Sequence, residues 1–209
     1  MSAAVPSIKT QELIGVDPIV LHFKPIVEKM TDEEFLEFCN LNDEWRFEVT
    51  SEGDLEMMLP TGTGTGYRNA MLIKALGVWA EADGAGVYFD SDTMFRLPNG
   101  AKRSPDMAWI RREGWDALSE EEQEGIAPLC PDFVVELRSR FDRLKKLQKK
   151  MQEYIDNGAQ LGWLIDPRKK KVYIYRPGLS VEELDEPETL SGEPLLKGFV
   201  LPMAKFWRK

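Results

Sequence analysis

At residues 131–139 the chain carries PDFVVELRS, in which the acid Glu136 interrupts the apolar run Phe133–Leu137. The stretch predicts a β-strand over 132–139, on which side chains alternate between two faces. Glu136 shares its face with Val134 and Arg138, and Phe133, Val135 and Leu137 share the other. A charge in such surroundings is costly unless it has a partner. Glu136 is therefore predicted either to form a structural salt bridge or to belong to a functional site.

A second acid lies at the start of the preceding strand. This strand is predicted over 104–110, where Asp106 follows Pro105. If the two strands pair with Asp106 and Glu136 at one level, the carboxylates form a pocket for a hard cation that prefers oxygen ligands, such as Mg²⁺. Hydrolysis of a phosphodiester uses such a cation to stabilise developing negative charge and to supply hydroxide near neutral pH. A lysine within reach would then orient or deprotonate the attacking water.

The next helix along the chain supplies a candidate lysine. It is predicted from about residue 142 to residue 157, before Gly158, which suits a C-terminal cap. At about 100° per residue, Lys150 lies at the edge of the buried face, whereas Lys145 and Lys149 point outward. Lys150 is therefore predicted either to reach the acidic strands or to extend its amine to solvent. The buried face is formed by Leu144, Leu147, Met151, Tyr154 and Ile155.

The order of the predicted elements indicates the fold class. From residue 67 onward the order is helix, three strands, helix, two strands, which is typical of a mixed α/β domain. Residues 1–209 are predicted to form a single domain whose first 24 residues are peripheral or loosely ordered, with a surface insertion at 113–124 and a loop at 61–66. The remaining predicted elements are a helix with a Thr31–Glu34 capping box that ends near residue 42, a β-hairpin over 45–58, a helix over 67–82, and strands over 86–97, 161–165 and 172–175.

Composition limits the kinds of protein that the chain can be. Hydrophobic residues make up 43% of the 209 residues, which is enough for a full core. No run of about 18 apolar residues occurs, so no membrane partner is predicted, and without a secretory pattern in the first residues a cytoplasmic location is expected. The single histidine, His22, has no nucleophile in view, and Cys39 and Cys130 do not form a metal-binding pair. Hydrolytic chemistry would therefore depend on carboxylates, lysines and a metal.

Charge is unevenly distributed along the chain. The net charge is −9, which argues against simple electrostatic coating of nucleic acid. Residues 138–150 nevertheless carry seven bases and one acid, whereas residues 113–124 carry six acids and no base. The basic strip is interpreted either as a solvated helix face or as a surface that meets a phosphate backbone.

Several short segments together resemble a known family. Residues 46–177 resemble the bacterial putative restriction endonuclease family within the PD-(D/E)XK nuclease superfamily, over about two-thirds of the chain. The resemblance implies an αβββαβ core with a mixed sheet, to which this chain adds an N-terminal helix and β-hairpin. The matching segments are Arg46-Phe47-Glu48, Ser104-Pro105-Asp106, residues 131–139, Lys150-Met151-Gln152-Glu153-Tyr154 with Gly158, and Trp163-Leu164-Ile165-Asp166-Pro167.

The resemblance also implies roles for individual residues. Asp106 and Glu136 would bind Mg²⁺ or Mn²⁺, and the backbone carbonyl of Leu137 would complete the metal site. Arg138 stands where the superfamily has its lysine, and arginine keeps the charge but cannot act as a base. Lys150 is the candidate replacement. Glu48 matches a further family position, so it is predicted either to line the site or to form a hairpin ion pair.

Two functional hypotheses follow. In the first, the protein is a Mg²⁺-dependent DNA endonuclease in which Lys150 orients or activates water and Arg138 contacts the scissile phosphate. A homodimer is expected by analogy with nucleases that cut two strands. In the second, the chain keeps the nuclease fold but is a non-catalytic nucleic-acid-binding or assembly protein. Removal of Asp106 and Glu136 distinguishes the two, because only the enzyme needs both carboxylates.

Overall fold

The computed structural model describes residues 19–22, 24–27, 29–58 and 60–207, which form six helices and thirteen strands. The helices are α1 (Lys24–Val27), α2 (Asp32–Leu41), α3 (Thr63–Asp83), α4 (Arg112–Asp116), α5 (Glu120–Glu124) and α6 (Leu144–Asp156). The strands are β1 (Ile19–Leu21), β2 (Arg46–Val49), β3 (Leu55–Met58), β4 (Gly86–Phe89), β5 (Phe95–Arg96), β6 (Lys102–Arg103), β7 (Met107–Arg111), β8 (Phe133–Leu137), β9 (Leu161–Asp166), β10 (Lys171–Tyr175), β11 (Glu182–Asp185), β12 (Thr189–Ser191) and β13 (Val200–Pro202).

The central sheet has six strands in the order β11-β10-β9-β8-β7-β4. Strands β8 and β9 run parallel, because helix α6 crosses over between them, and every other neighbouring pair is antiparallel. The helix α3, the strands β4, β7 and β8, the helix α6 and the strand β9 follow each other as αβββαβ. The predicted restriction-endonuclease-like mixed sheet is thus confirmed.

The alternation along β8 divides the core into two layers. Phe133, Val135 and Leu137 pack on the side of α3, together with Leu72 and Leu76 of that helix. On the opposite side, the buried Val134 packs in one cluster with Met151 and Tyr154 of α6. Glu136 has the same parity as Val134, so the strand directs its carboxylate toward α6.

A second sheet lies before and beside the core, with the strand order β1-β3-β2-β6-β5. Its centre is the predicted hairpin, in which Glu48 of β2 lies opposite Glu56 of β3. Strand β6 joins this hairpin to the segment that leads into β7, through the pair Val49 and Lys102. The small sheet of β12 and β13 lies near the C-terminus. The second sheet therefore brings an acid of the N-terminal hairpin to the central sheet.

Other predictions can now be compared with the structure. Helix α2 begins with the expected capping box, in which Thr31 and Glu34 bond each other's backbone N–H. The predicted strand at 86–97 is wrong as one element, because β4 and β5 belong to different sheets. The segment 113–124 forms the two short helices α4 and α5, which contain no buried residue, in agreement with a surface insertion. Residues 1–18 lie outside the described residues, and β1 is a largely exposed edge strand.

The loop predicted at 61–66 is also wrong in part, because α3 begins at Thr63. Gly62 is the N-cap residue, with extended dihedral angles, and its carbonyl accepts the N–H groups of Thr65 and Gly66. Glycine costs about 1 kcal/mol in a helix interior. The buried stripe of this 21-residue helix outweighs the low propensity of its first turn. Among the described residues, no helix has both the length and the apolarity to span a membrane.

Candidate active site

All the residues predicted to form the site line one cleft, with a volume of about 720 Å³. The cleft lies where the ends of β7 and β8 face α6 and the N-terminal hairpin. The predicted residues in its lining are Glu48, Asp106, Glu136, Leu137, Arg138 and Lys150. The structure thus brings these six residues together, and their roles stay predictions.

Asp106 and Glu136 are brought to one level by the pairing of β7 with β8. Met107 lies opposite Val135, so the antiparallel register, continued by one residue, places Asp106 opposite Glu136. Oδ2 of Asp106 accepts the backbone N–H of Leu137 at 2.7 Å, and Oδ1 accepts Nδ2 of Asn69 at 2.9 Å. Burial raises the pKa of Asp106 above its ordinary value, although these two hydrogen bonds oppose the rise.

Glu136 is enclosed between the sheet and α6, with 5% of its surface exposed. Its Oε1 lies 2.8 Å from Nζ of Lys150 and accepts the hydroxyl of Tyr154 at 3.1 Å. Burial raises the pKa of Glu136 to about 7. The positive charge of Lys150 acts to lower this pKa, whereas the negative charges of Asp106 and Glu48 act to raise it further. The carboxylate therefore sits in a place where its negative charge is only partly compensated.

Lys150 joins carboxylates from the two sheets. Its Nζ donates to Oε1 of Glu48 at 2.7 Å, in addition to its contact with Glu136. Burial works to lower the pKa of Lys150, but the two carboxylates outweigh burial and raise it above its ordinary value. The ammonium is thus charged at neutral pH. The exposed positions of Lys145 and Lys149 confirm that these two lysines point outward.

Glu48 is the most fully bonded acid of the site, with 1% of its surface exposed. Besides Lys150, it accepts Nη1 of Arg103 at 3.1 Å and the backbone N–H of Ser104 at 3.0 Å. Burial acts to raise the pKa of Glu48, but Lys150 and Arg103 together hold it below its ordinary value. Glu48 therefore lines the cleft, whereas the predicted hairpin ion pair is wrong, because its ion partners Arg103 and Lys150 belong to β6 and α6 and its neighbour across the hairpin is the acid Glu56.

The ion pairs extend from the cleft into a larger network. Nε of Arg103 lies 2.7 Å from Glu153, its Nη1 lies 3.4 Å from Glu56, and Glu56 lies 3.0 Å from Nζ of Lys146. The network thus joins acids of β2, β3, β8 and α6 through Arg103, Lys146 and Lys150.

The ligand chemistry of the cleft suits a hard cation. The carboxylates of Asp106 and Glu136 offer oxygen, the donor that Mg²⁺ and Mn²⁺ prefer. Within the described ranges, no three His, Cys, Asp or Glu side chains are grouped closely enough to hold a metal ion. A cation here would accordingly take two carboxylates and complete its shell with backbone oxygen and water.

Arg138 is already bonded within the protein. Its Nη1 lies 2.5 Å from Oδ2 of the fully buried Asp166, and its Nε donates to the carbonyl of Asp142 at 3.1 Å. These bonds tie the start of the β8–α6 connection to the end of β9. Arg138 lines the cleft, but its predicted contact with a phosphate stays a prediction.

The rim of the cleft is basic, whereas its floor is acidic. The β8–α6 connection and the β9–β10 turn contribute bases on one side, and the first turn of α3, which is rich in glycine and threonine, lies on the other. The rim bases are Arg46, Arg68, Arg140, Arg143, Lys146, Arg168 and Lys170. Part of the basic strip predicted from sequence is therefore directed to the cleft, while Lys145 and Lys149 are solvated.

Two contacts of the site were not predicted, those of Arg103 and Asn69. Arg103 could not be assigned because its partners come from β2, β3 and α6, which are distant in sequence. The sequence could have indicated Asn69 as a site residue, because it lies three residues before Leu72 and seven before Leu76 on the buried stripe of α3. An amide on such a stripe needs a polar partner, which here is Asp106.

Comparisons with known proteins agree with this architecture. A model of the Uma2 family, described as "Putative restriction endonuclease", matches residues 32–204. Among solved structures, the chain is similar to a putative nuclease belonging to DUF820 from Anabaena variabilis. The TM-score is 0.70 and the sequence identity 20%, over 85% of this chain and 97% of that one. None of the curated proteins searched matches the chain significantly.

Proposed function

Because this chain belongs to the Uma2 family of putative restriction endonucleases, we propose that it is a Mg²⁺-dependent DNA endonuclease that hydrolyses phosphodiester bonds and also accepts Mn²⁺. The observation that carries the proposal is the placement of Asp106 opposite Glu136, beside Lys150, at the acidic floor of a cleft with a basic rim. Each part has a use in phosphodiester hydrolysis, and a purely structural salt bridge would not need the cleft.

Asp106, Glu136 and the carbonyl of Leu137 would hold the cation. A strand residue directs its N–H and C=O toward the same neighbour, and the N–H of Leu137 already points to Asp106. The carbonyl of Leu137 is therefore on the side of Asp106, in agreement with the role implied by the family resemblance. Bound there, a divalent cation stabilises negative charge on the scissile phosphate and lowers the pKa of a water molecule.

In the superfamily pattern a lysine follows the acid by two residues, and in this chain Arg138 stands at that position. Lys150 would take over the role of that lysine. Two carboxylates fix its ammonium within 2.8 Å, so the group is oriented before a substrate binds. Because its pKa is raised, Lys150 is a positively charged hydrogen-bond donor at neutral pH. Its task is to orient the attacking water and the phosphate oxygens by hydrogen bonds, rather than to remove a proton from the water.

The basic rim would bind the DNA backbone. Bases along the rim of an acidic floor would neutralise phosphates next to the scissile bond, while the floor concentrates cations there. Since the whole chain has a net charge of −9, contact with DNA would be confined to this rim. A symmetric homodimer would place two such clefts on the two strands of a duplex.

The test is cleavage of supercoiled plasmid in the presence of Mg²⁺ or Mn²⁺. The wild type should nick the plasmid, and Asp106→Asn and Glu136→Gln should each abolish nicking. Asp116→Asn, which changes an exposed acid of α4, is the matched control and should cut like the wild type.

Two outcomes of this assay would reject the enzyme. Nicking that persists in both site variants would come from another source. DNA binding without cleavage, unchanged in both variants, would support the non-catalytic nucleic-acid-binding protein instead.

A further inference from the structure

Asn69 has one half of its amide bonded and the other half buried without a partner. Its Nδ2 donates to Oδ1 of Asp106 at 2.9 Å, whereas its Oδ1 is enclosed and accepts no hydrogen bond within the part of the chain that the structure describes. The other two buried polar atoms without partners, Nε1 of Trp109 and of Trp163, are donors within the apolar core. Of these three residues, Asn69 is the one whose side chain bonds a carboxylate of the cleft.

The orientation of this amide is fixed by its neighbour. Exchange of the nitrogen and oxygen would place two acceptor oxygens, those of Asn69 and Asp106, 2.9 Å apart. The oxygen must therefore stay on the unpartnered side. An acceptor buried without a partner destabilises a fold, so its presence at a functional site indicates a donor that joins it there.

The neighbourhood decides what kind of donor this is. The ammonium of Lys150 is held by Glu48 and Glu136, and the N–H of Leu137 is bonded to Asp106. A hard cation such as Mg²⁺ keeps several water molecules when it binds to carboxylates. Each such water has strongly polarised O–H groups that need acceptors. A buried amide oxygen next to Asp106 suits this need.

We propose that Asn69 is a positioning residue of the cation site, whose Nδ2 orients Asp106 and whose Oδ1 accepts a hydrogen bond from a water molecule bound to the cation. The inference rests on the proposed function, because it requires a divalent cation at Asp106. It goes further in assigning α3, the helix whose first turn lines the cleft, a direct part in cation binding. Substitution of residues that orient metal ligands typically lowers metal affinity by about 10- to 100-fold.

The test measures Mn²⁺ binding to the full chain by titration calorimetry, and the rise in melting temperature that saturating Mn²⁺ produces. Asn69→Leu has a similar shape but neither donor nor acceptor, and we expect about 10- to 100-fold weaker Mn²⁺ binding. Asn69→Asp places a second carboxylate beside Asp106, so Mn²⁺ should raise its melting temperature more than that of the wild type.

A matched control separates cation binding from folding. Asn157→Leu removes an amide at the end of α6 that bonds the backbone of Glu153 and of Asn99. Neither of these partners lines the cleft, whereas the partner of Asn69 is Asp106. Asn157→Leu should lower the melting temperature without changing the Mn²⁺-induced rise. The Mn²⁺-induced rise in melting temperature should thus be largest for Asn69→Asp, intermediate for the wild type and Asn157→Leu, and smallest for Asn69→Leu.

Two results would overturn the inference in different ways. If the wild type binds Mn²⁺ and both Asn69 variants bind it within twofold of the wild type, Asn69 only supports the helix and the proposed function is untouched. If the wild type itself binds no Mn²⁺, the metal site proposed above fails and this inference fails with it. Should Asn69→Leu not fold, Asn69→Asp alone decides between these outcomes.

Discussion

The ammonium of Lys150 lies 2.8 Å from the carboxylate of Glu136, although one belongs to α6 and the other to β8. In the superfamily pattern the lysine follows the acid by two residues, and here that place belongs to Arg138, which is bonded to Asp166. Lys150 thus supplies from the helix the ammonium group that the superfamily pattern places on the strand. The predictions below test this arrangement and the cation site beside it.

Removal of Lys150 should damage both stability and cleavage. Lys150→Met leaves Glu48 and Glu136 buried without their shared partner, which costs about 3 to 5 kcal/mol in the free energy of unfolding. Plasmid cleavage should fall by about 100-fold or more. Urea denaturation and the plasmid assay measure the two effects. The exposed Lys149→Met is the control, and a Lys150→Met protein that cuts normally would remove Lys150 from the site.

Neutralising Glu136 should stabilise the metal-free protein at high pH. The pKa of Glu136 is raised to about 7, so the folded protein is destabilised by ionisation of this group as pH rises above about 4.5. The destabilisation is complete once the pH is above 7. Glu136→Gln avoids this cost, of about 1 to 3 kcal/mol. In urea denaturation without metal, its stability relative to the wild type should increase from pH 5 to pH 8. A constant difference would show that Glu136 does not titrate in this range.

Cation binding should weaken in acid. Protons compete with Mn²⁺ for Glu136, and a pKa of about 7 means that the ionised fraction falls roughly tenfold between pH 8 and pH 6. Titration calorimetry should give an Mn²⁺ dissociation constant about ten times larger at pH 6 than at pH 8. Proton release on binding, measured in buffers of different ionisation enthalpy, provides an independent check. A dissociation constant independent of pH would place the cation away from Glu136.

Glu48 should act through Lys150 rather than on the cation. Glu48→Gln removes one of the two anchors of the ammonium, so cleavage should fall by about 10- to 100-fold while the Mn²⁺ dissociation constant changes only a few-fold. Glu52→Gln, in the exposed turn of the same hairpin, is the matched control. A loss of Mn²⁺ binding in Glu48→Gln as large as in Asp106→Asn would make Glu48 a ligand instead.

Substitution of Arg138 should lower stability, whereas substitution of Arg140 should weaken DNA binding. Arg138→Met leaves the fully buried Asp166 without its partner and should lower the free energy of unfolding by about 3 to 5 kcal/mol. Arg140→Met, on the exposed rim, should leave stability unchanged but weaken DNA binding and reduce its dependence on salt. A stable Arg138→Met protein with weakened DNA binding would instead favour the phosphate contact predicted from sequence.

The sequence was sufficient where local periodicity determines position. The alternation along 132–139 placed Glu136 on the face of Val134 and Arg138, and the structure supplies the strand register that brings Asp106 beside it. The helical period placed Lys150 at the edge of the buried face of α6, from which its long side chain reaches the strand.

Other features depend on tertiary packing that no local pattern encodes. Arg103 acquires its three carboxylate partners only when the second sheet docks on α6. Helix α3 begins at Thr63 although the glycines of its first turn have low helix propensity, because burial of Leu72 and Leu76 stabilises the helix. The structural partner of Arg138 is Asp166, which was recognised as part of a motif but not as its ion pair.

The central claim is that Asp106 and Glu136 bind a divalent cation together with the carbonyl of Leu137. The most direct measurement is the anomalous diffraction of Mn²⁺ in crystals of the wild-type protein and of Asp106→Asn. The account predicts a strong peak within coordination distance of both carboxylates and the Leu137 carbonyl oxygen in the wild type, and no peak in Asp106→Asn. Mn²⁺ bound elsewhere in the cleft, with this position empty in a protein that still cuts DNA, would contradict it.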